Sequence, residues 1–402
     1  MIAKIEKSKA FGRIQAPPSK SMAHRYLICS ALCRDTSVIS GLSYSEDILA
    51  TVECLRALGT SIEVNGNKAV CNGEKLLSGA ISNQLNCRES GSTLRFMIPI
   101  CLLSNEQITL SGSERLFKRS LSVYEEICRN QDLCFCIDGN SVTVKGVLQS
   151  GKYSVRGDVS SQFISGLMFA LPLLKNDSII DITGDLESKA YIGMTIKALA
   201  DFGVRISRTD ERTVLIKGSQ SYKHHNISVE GDYSNAAFLD ALNLIGGNVL
   251  IKGLKEDSLQ GDKVYKKFFR ELVKGCPTLD IADCPDLGPV LMAVAAAFNG
   301  AVITGTRRLK IKESDRGAAM SAELAKFGIK TEVFDNRIVV HNGVLKTPEL
   351  PLDGHNDHRI VMSLAVLATL TGGEIYGAQA VAKSYPEFFK DIASLGIIVG
   401  EK

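Results

Sequence analysis

Lys20, Ser21, His24 and Arg25 crowd into one turn of "PPSKSMAHRYLICSALC". Helical spacing at Met22, Ala23, Tyr26, Leu27, Ser30 and Ala31 predicts a buried helix from that turn onward, and Pro17 and Pro18 forbid helix before it. Ser19 is placed to act as the N-cap. Cations there lie against the positive end of the helix dipole, where carboxylates would be favoured. Either the turn is simply solvated, or it receives an anion.

Other segments carry similar groups. "SERLFKRS" supplies Arg115, Lys118 and Arg119, "RRLKIKESDR" supplies Lys312, Glu313, Asp315 and Arg316, and "VAKSYPEF" supplies Lys383. Asp286 in "CPDLGPV" reads most simply as an N-cap, and Glu313 and Asp315 as partners of Lys312 and Arg316. A carboxylate held among cations nevertheless stays ionised and can take a proton from a hydroxyl. His358 reads as a core histidine donating to a backbone carbonyl.

The elements that must position these groups repeat along the chain. An apolar helix is followed by a short strand ending in glycine, six times: "ISGL", "LSGS", "ITGD", "IKGL", "ITGT" and "IYGA". The glycines are Gly41, Gly112, Gly184, Gly253, Gly305 and Gly377, spaced by 71, 72, 69, 52 and 72, which makes the fifth unit the short one. A second helix often follows, closing on glycine before a β-branched run, as in "AMSAELAKFGIKTEV". The units are long and carry different polar heads. That favours two closed α/β domains of three units each over an open solenoid, with the join near "GSQSYKHHNI". First turns of the apolar helices read "SKSMAHR", "ESGSTLR", "SSQFIS", "DYSNAA", "CPDLGP" and "NDHRIV", and three of them carry an arginine: Arg25, Arg95 and Arg359. If these ends share a cleft, they form a site for a ligand with several anionic groups.

Composition sets the limits. With 402 residues, 45% of them hydrophobic and 23% charged, the chain suits two globular domains. A net charge of +3 is too small to argue for nucleic acid. Eleven cysteines without paired C-x-x-C sets point to a reducing compartment, hence the cytoplasm. "MIAKIEKSKA" is no secretory signal, and "VLMAVAAAF" is too short to span a bilayer. P-loop, dinucleotide-binding and nucleophile-elbow signatures are absent from the sequence.

In chain order, "PPSKSMAHR", "ESGSTLRFM", "VSSQF", "KIKESDR", "NDHR" and "AKSYPEFF" make the chain similar to the enolpyruvyl-transferase family, in the branch acting on shikimate 3-phosphate. The likeness runs from about Lys4 to Phe389, and six motifs in order are specific where one alone would be weak. The resemblance implies an α/β fold of two similar domains, each of three βαβαββ units in an inside-out α/β barrel. One domain would comprise residues 1–17 and 228–402, the other residues 18–227. The first strand would therefore belong with the C-terminal half.

The resemblance also implies the reaction. The 5-hydroxyl of shikimate 3-phosphate attacks phosphoenolpyruvate, the enol CH2 is protonated, a tetrahedral ketal forms, and phosphate leaves. This step lies on the route to chorismate and the aromatic amino acids. No metal or organic cofactor, nucleic acid or membrane is implied, and the chain is expected to act as a cytoplasmic monomer sensitive to glyphosate. Two phosphates and two carboxylates must be held together, which accounts for the cations.

By the same likeness, Lys20, Ser21 and Arg25 correspond to the substrate clamp, Lys20 reaching both ligands. Ser160, Ser161 and Ser188 correspond to the shikimate phosphate site, with Gln162 and Tyr191 against the ring and Lys312 a further contact. Arg119, Arg316, Arg359 and Lys383 correspond to the phosphoenolpyruvate site, with Gln162 and the backbone at Gly91. Asp286 corresponds to the base at the 5-hydroxyl. Glu313 corresponds to the acid near the enol carbon, with Lys383 competing for that proton.

Glu89 departs from the common Asn, beside Ser90 where relatives have Ala or Ser, and Arg308 stands where relatives often have Asn. The rival within the fold is the transferase acting on UDP-N-acetylglucosamine, which usually carries a reactive Cys in a loop that here reads "SGSERLFKRS". A non-catalytic anion-binding relative is the rival from another class. Retention of Lys20, Asp286, Glu313 and Lys383 together argues against it.

Overall fold

The computed structural model describes residues 1–401. Its inner helices, numbered here α1 to α6, are Lys20–Ala31, Gly91–Cys101, Ser161–Ala170, Tyr233–Leu244, Gly288–Ala297 and His358–Thr371. Ser19, Ser90, Ser160, Asp232 and Asp357 cap five of them, each accepting from a backbone N–H in the first turn. The exception, α5, has no side-chain cap and is entered through a 3-10 turn, Pro285–Leu287. It reads GPVLMAVAAA, apolar all round, and such a helix is stable only when enclosed. Each fully buried Val, Leu or Met there contributes about 1.5–3 kcal/mol. No helix among the described residues is long and apolar enough to cross a membrane.

Each inner helix leads into a short strand: Thr36–Ser40, Ile108–Ser111, Ser178–Thr183, Asn248–Lys252, Ala301–Thr304 and Gly373–Tyr376. Each strand nucleates a sheet, and five of the six sheets have four strands in the same order. The second shows the plan. Gln84–Asn86 runs parallel to Ile108–Ser111, which pairs antiparallel with Ser141–Lys145, whose other partner is Cys134–Asp138. The outer helices end as expected on Gly59, Gly203, Gly328 and Gly396, with φ between +79° and +102°. A residue with a Cβ would be strained there.

The chain divides into a continuous unit, Pro18–Glu230, and a discontinuous one, Met1–Pro17 with Gly231–Lys402. Each has its own hydrophobic core. The second crossing falls after Glu230, not after residue 227. Ile227–Ser228 is the parallel neighbour of Thr36–Ser40, and the Val229 N–H donates to Ser40 O. Two strands are thereby exchanged. Phe11–Gln15 precedes α1 but pairs with Asn248–Lys252, the strand after α4. Ile227–Ser228 precedes α4 but pairs with the strand after α1. Ile2–Ile5 fills the hairpin position of the last sheet, between Gly373–Tyr376 and Val399–Glu401.

The shortened repeat is unit four, not unit five. Helix Tyr265–Lys274 is followed directly by Thr278–Asp280, the first strand of the fifth sheet, so the hairpin of the fourth is missing. Among the described residues, Asn248–Lys252 has only Phe11–Gln15 beside it. On its other edge Asn243 stands in for the lost strand. Its Nδ2 donates to Val249 O at 2.9 Å, and its Oδ1 accepts from Val249 N at 2.6 Å. A residue opposite in an antiparallel ladder would make the same two bonds.

Candidate active site

In the continuous unit, Lys20 lies in the first turn of α1, with its ammonium 2.5 Å from Asp47 Oδ2. Asp47 belongs to the next helix, Glu46–Ala57. Arg25, one turn on from Ser21, is buried. Its Nη1 donates to Ser21 O, its Nη2 to Tyr191 O and its Nε to Thr195 Oγ1, at 2.7, 3.0 and 2.8 Å. These bonds tie α1 to helix Lys189–Asp201. Burial pushes the Arg25 guanidinium down to about 10, so it remains charged at neutral pH. Ser188, at the mouth of that helix, is buried and holds a left-handed conformation at φ +57°.

Gly91 opens α2. A Cβ there would lie 3.1 Å from Arg119 Nη1, 3.2 Å from Arg95 Nη1 and 3.6 Å from Gln162 Oε1. Two guanidiniums and an amide therefore meet over backbone without a side chain. Arg95 Nη1 donates to Gln162 Oε1 at 2.7 Å, and Gln162 Nε2 donates to Ser92 Oγ at 2.9 Å. Ser160 and Ser161, buried at the start of α3, immediately precede Gln162. Helix N–H groups together with guanidiniums form an anion site.

A buried hydroxyl chain ties these turns together. His24 Nδ1 meets Thr51 Oγ1 at 2.8 Å, Thr51 Oγ1 meets Thr93 Oγ1 at 2.7 Å, and Thr93 Oγ1 donates to the capping Ser90 Oγ at 2.8 Å. Burial, then Lys20 and Arg25, hold His24 well below its ordinary range, so it is neutral. Its Nε2 is buried without a partner. A bare acceptor costs less than a bare N–H, so the proton belongs on Nδ1 and the chain runs from His24 towards the cap.

In the discontinuous unit, Arg316 organises a cluster. Its Nη1 donates to Asp286, its Nη2 to Glu313 Oε2 at 2.7 Å, and its Nε to Asp357 Oδ2 at 2.9 Å. Lys312 Nζ lies 3.1 Å from Asp286 Oδ1, and Arg359 Nη2 lies 3.4 Å from Oδ2. Burial alone would raise the Asp286 carboxyl, but Lys312, Arg359 and Arg316 outweigh it and hold it well below the usual carboxylate range. Arg359 keeps Nε and Nη1 buried and unpaired. Lys383 Nζ donates to Asn356 O at 2.5 Å.

The structure thus joins Gly91, Arg119 and Gln162 in one place, and Asp286, Lys312, Glu313, Arg316 and Arg359 in another. Lys20 sits with Asp47, and Lys383 with the Asn356 carbonyl. Asp286 is not an N-cap. It lies inside the 3-10 turn ahead of α5, and its carboxylate turns to the three cations. Asp315 pairs with no cation there but caps helix Arg316–Lys326, accepting from Ala318 N. Lys118 is an exposed partner of Glu114, whereas Arg119 is buried. His358 is buried with Nδ1 3.8 Å from Asp357 Oδ1. Arg308 is buried in the 3-10 turn Arg307–Ile311.

Three participants were not singled out from the sequence, Asp47, Asp262 and Asp357, and Arg95 was named only as one of the helix-start arginines. Asp357 stood inside the quoted "NDHR", and Arg95 inside "ESGSTLR". Asp262 is buried and accepts from Ser234 Oγ, while its Oδ1 has no partner. Burial and then Asp286 push it up to about 7, against Arg359 and Lys312.

This architecture is that of the enolpyruvyl transferases. The EPSP synthase of Acinetobacter baumannii has a TM-score of 0.80 at 21% identity over all of both chains. The enolpyruvyl transferase NikO from Streptomyces tendae reaches 0.80 at 13% identity, over 100% of this chain and 98% of its own. Those likenesses concern the fold. The model of the family described as EPSP synthase (3-phosphoshikimate 1-carboxyvinyltransferase) matches residues 5–392. A relative named 3-phosphoshikimate 1-carboxyvinyltransferase from Clostridium perfringens strain SM101 is 40% identical over 421 residues, covering 99% of each chain. One of the same name from Clostridioides difficile strain 630 is 38% identical over 423, covering 98% of this chain and 97% of its own. The chain belongs to the EPSP synthase family. It is an enzyme of aromatic amino acid biosynthesis that transfers the enolpyruvyl group of phosphoenolpyruvate to the 5-hydroxyl of shikimate 3-phosphate, releasing phosphate.

Proposed function

We propose that the two sets of residues divide the substrates' groups between them. Ser160, Ser161 and Ser188 hold the phosphate of shikimate 3-phosphate, with Ser21, Arg25, Gln162 and Tyr191 shaping the ring site and Lys312 a further contact. Arg119, Arg316, Arg359 and Lys383, with the Gly91 backbone and Gln162, hold phosphoenolpyruvate, and Lys20 serves both ligands. Asp286 takes the 5-hydroxyl proton as that oxygen bonds to C2 of the enolpyruvate. Glu313 delivers a proton to C3, giving the ketal. Loss of one proton from the resulting C3 methyl, and of phosphate from C2, then forms the enol ether.

The observation that carries this reading is the Asp286 carboxylate, held ionised beside Lys312, Arg316 and Arg359 with Glu313 on the same guanidinium. A base of this kind needs an ionised carboxylate, and the unpaired nitrogens of Arg359 are suited to an incoming anion. The enzyme acts as a monomer in the cytoplasm. Its eleven cysteines, eight of them buried and all free, support a reducing setting.

The test is solvent deuterium exchange into the C3 methylene, run beside phosphate release. Glu313→Gln should lose exchange while still binding both substrates. Exchange at the wild-type rate would transfer the proton to Lys383.

A further inference from the structure

We propose that Glu323 and His355 are positioning residues for the phosphoenolpyruvate half of the site, their paired side chains holding the turn that fixes the Lys383 ammonium and the Arg316 guanidinium. The proposal rests on the reading of Lys383 and Arg316 as phosphoenolpyruvate ligands.

The turn is costly to hold. His355 and Asn356 are consecutive residues with a Cβ, and both have φ of +49°. The left-handed region is a minority conformation even for His and Asn, and two in succession need surrounding contacts to hold them. Those contacts converge on Glu323, in helix Arg316–Lys326, whose side chain is 2% exposed. Its Oε1 meets His355 Nε2 at 3.0 Å, and its Oε2 accepts from Asp353 N at 2.9 Å. Lys326 Nζ, 3.0 Å from Oε1, also donates to Pro351 O. Asp353 Oδ1 accepts from His355 N at 2.7 Å, closing the turn from within.

What leaves the turn is the site. The Asn356 carbonyl accepts from Lys383 Nζ at 2.5 Å. Asp357 follows at once, accepts from Arg316 Nε and Ser314 Oγ, and caps α6, which carries Arg359. A carboxylate as buried as Glu323 is expensive unless fully paired, and no step of the reaction uses it. Its service is to the turn. Rotating Asn356 back to ordinary backbone would redirect the carbonyl that Lys383 sits on and shift the cap that sets Arg316.

The pair also titrates. The bond to Glu323, then the Asp353 charge, raise His355 above its ordinary range, against burial and Lys326. These are the charged groups that face it. The charged pair is intact below the ordinary histidine range and is lost as pH rises through the raised value. The grip on phosphoenolpyruvate should weaken over that same interval.

His355 is 30% exposed on its side chain, so it can be replaced without opening the core. The experiment measures KM for each substrate from about pH 6 to 9 in wild type, His355→Leu, His355→Gln and Glu323→Gln, with melting temperatures alongside. His355→Leu should raise the phosphoenolpyruvate KM roughly 10- to 100-fold at the acid end while leaving that for shikimate 3-phosphate within about twofold. His355→Gln, which keeps a donor, should recover most of this, and neither variant should retain the wild-type rise with pH. Glu323→Gln should reproduce the phosphoenolpyruvate effect. Parallel changes in both KM values, or an unaltered pH profile, would overturn the proposal even if the melting temperature falls. Lys383→Ala separates the two layers. If it raises the phosphoenolpyruvate KM and His355→Leu does not, only the positioning role fails. If Lys383→Ala leaves that KM unchanged, the underlying reading fails as well.

Discussion

Arg316 Nη1 donates to Asp286 Oδ1 at 2.7 Å. The same guanidinium grips Glu313 through Nη2, so one planar fork sets where the proposed base and the proposed acid stand relative to each other. Lysine cannot span both. Arg316→Lys should therefore lower kcat as well as phosphoenolpyruvate affinity, whereas a residue that only binds substrate would change KM alone. Asp286→Asn should cost about 10²–10⁴ in kcat, the range for loss of a general base, with shikimate 3-phosphate binding still measurable by calorimetry. A kcat within threefold of wild type in Asp286→Asn would dismiss Asp286 as the base.

Gly91 governs a second outcome. An added methyl would press on Arg119 Nη1 and Arg95 Nη1, both near 3 Å and both at the ends of side chains that can yield only by moving their charge. Glyphosate is longer than phosphoenolpyruvate and has less room to adjust. In Gly91→Ala its inhibition constant should rise by about 5- to 160-fold, for a clash of about 1–3 kcal/mol, and the phosphoenolpyruvate KM by less. Steady-state inhibition of both proteins decides the point. Equal factors would mean that the methyl merely distorts the helix start.

Asp262 should make the fold sensitive to pH. Its carboxyl is pushed up to about 7 in the folded chain, while the unfolded chain titrates it near the ordinary carboxylate value. As pH rises between these values the unfolded state releases a proton that the folded state keeps, so folding loses stability across about pH 4 to 7. Asp262→Asn cannot titrate. Its stability relative to wild type should climb through that window by up to a few kcal/mol and level off above it. Urea melts at several pH values test this, and a difference that does not vary with pH would refute it.

The fourth sheet offers a test outside the active site. Asn243 occupies the backbone groups of Val249 on an edge that has no strand beside it. Asn243→Ala should bare that edge next to Leu250, which is 53% exposed, and promote self-association through it. Sedimentation velocity of the two proteins, at matched concentration, should show a larger species only in the variant. Identical profiles would show that Asn243 merely closes its own helix.

How far these features could be read in advance depended on whether the cause was local. Ser19 announced its helix because capping is settled within four residues. The glycine-ended strands recurred visibly because Gly41, Gly184, Gly253, Gly305 and Gly377 leave their strands with φ between +67° and +84°, which few other residues tolerate. Asp286 misled for the same reason: an acid ahead of an apolar helix looks like a cap, and only the fold brings Lys312, Arg316 and Arg359 to it. Asp47 drew no notice in the sequence, because its ammonium partner lies a whole helix away in Lys20. Glu323 falls in "AELAKFG", a sequence suited to a solvated face, yet it is buried. The strand exchange was beyond local reading, since Phe11–Gln15 would look the same beside either neighbour.

That exchange sets a timetable for the molecule as it is made. Phe11–Gln15 must wait for Asn248–Lys252, and Ile2–Ile5 for strands beyond Gly373. At roughly 5–20 residues per second on the ribosome, these intervals are on the order of 10–50 s and 20–75 s. The segment from Pro18 to Glu230 contains every strand its own sheets require and can close while the earlier residues are still unclaimed. The first β-segments to be synthesised are therefore among the last to find partners. For tens of seconds the nascent chain trails a pair of open strand edges past a finished neighbour, and that interval is when a chaperone would have most to hold.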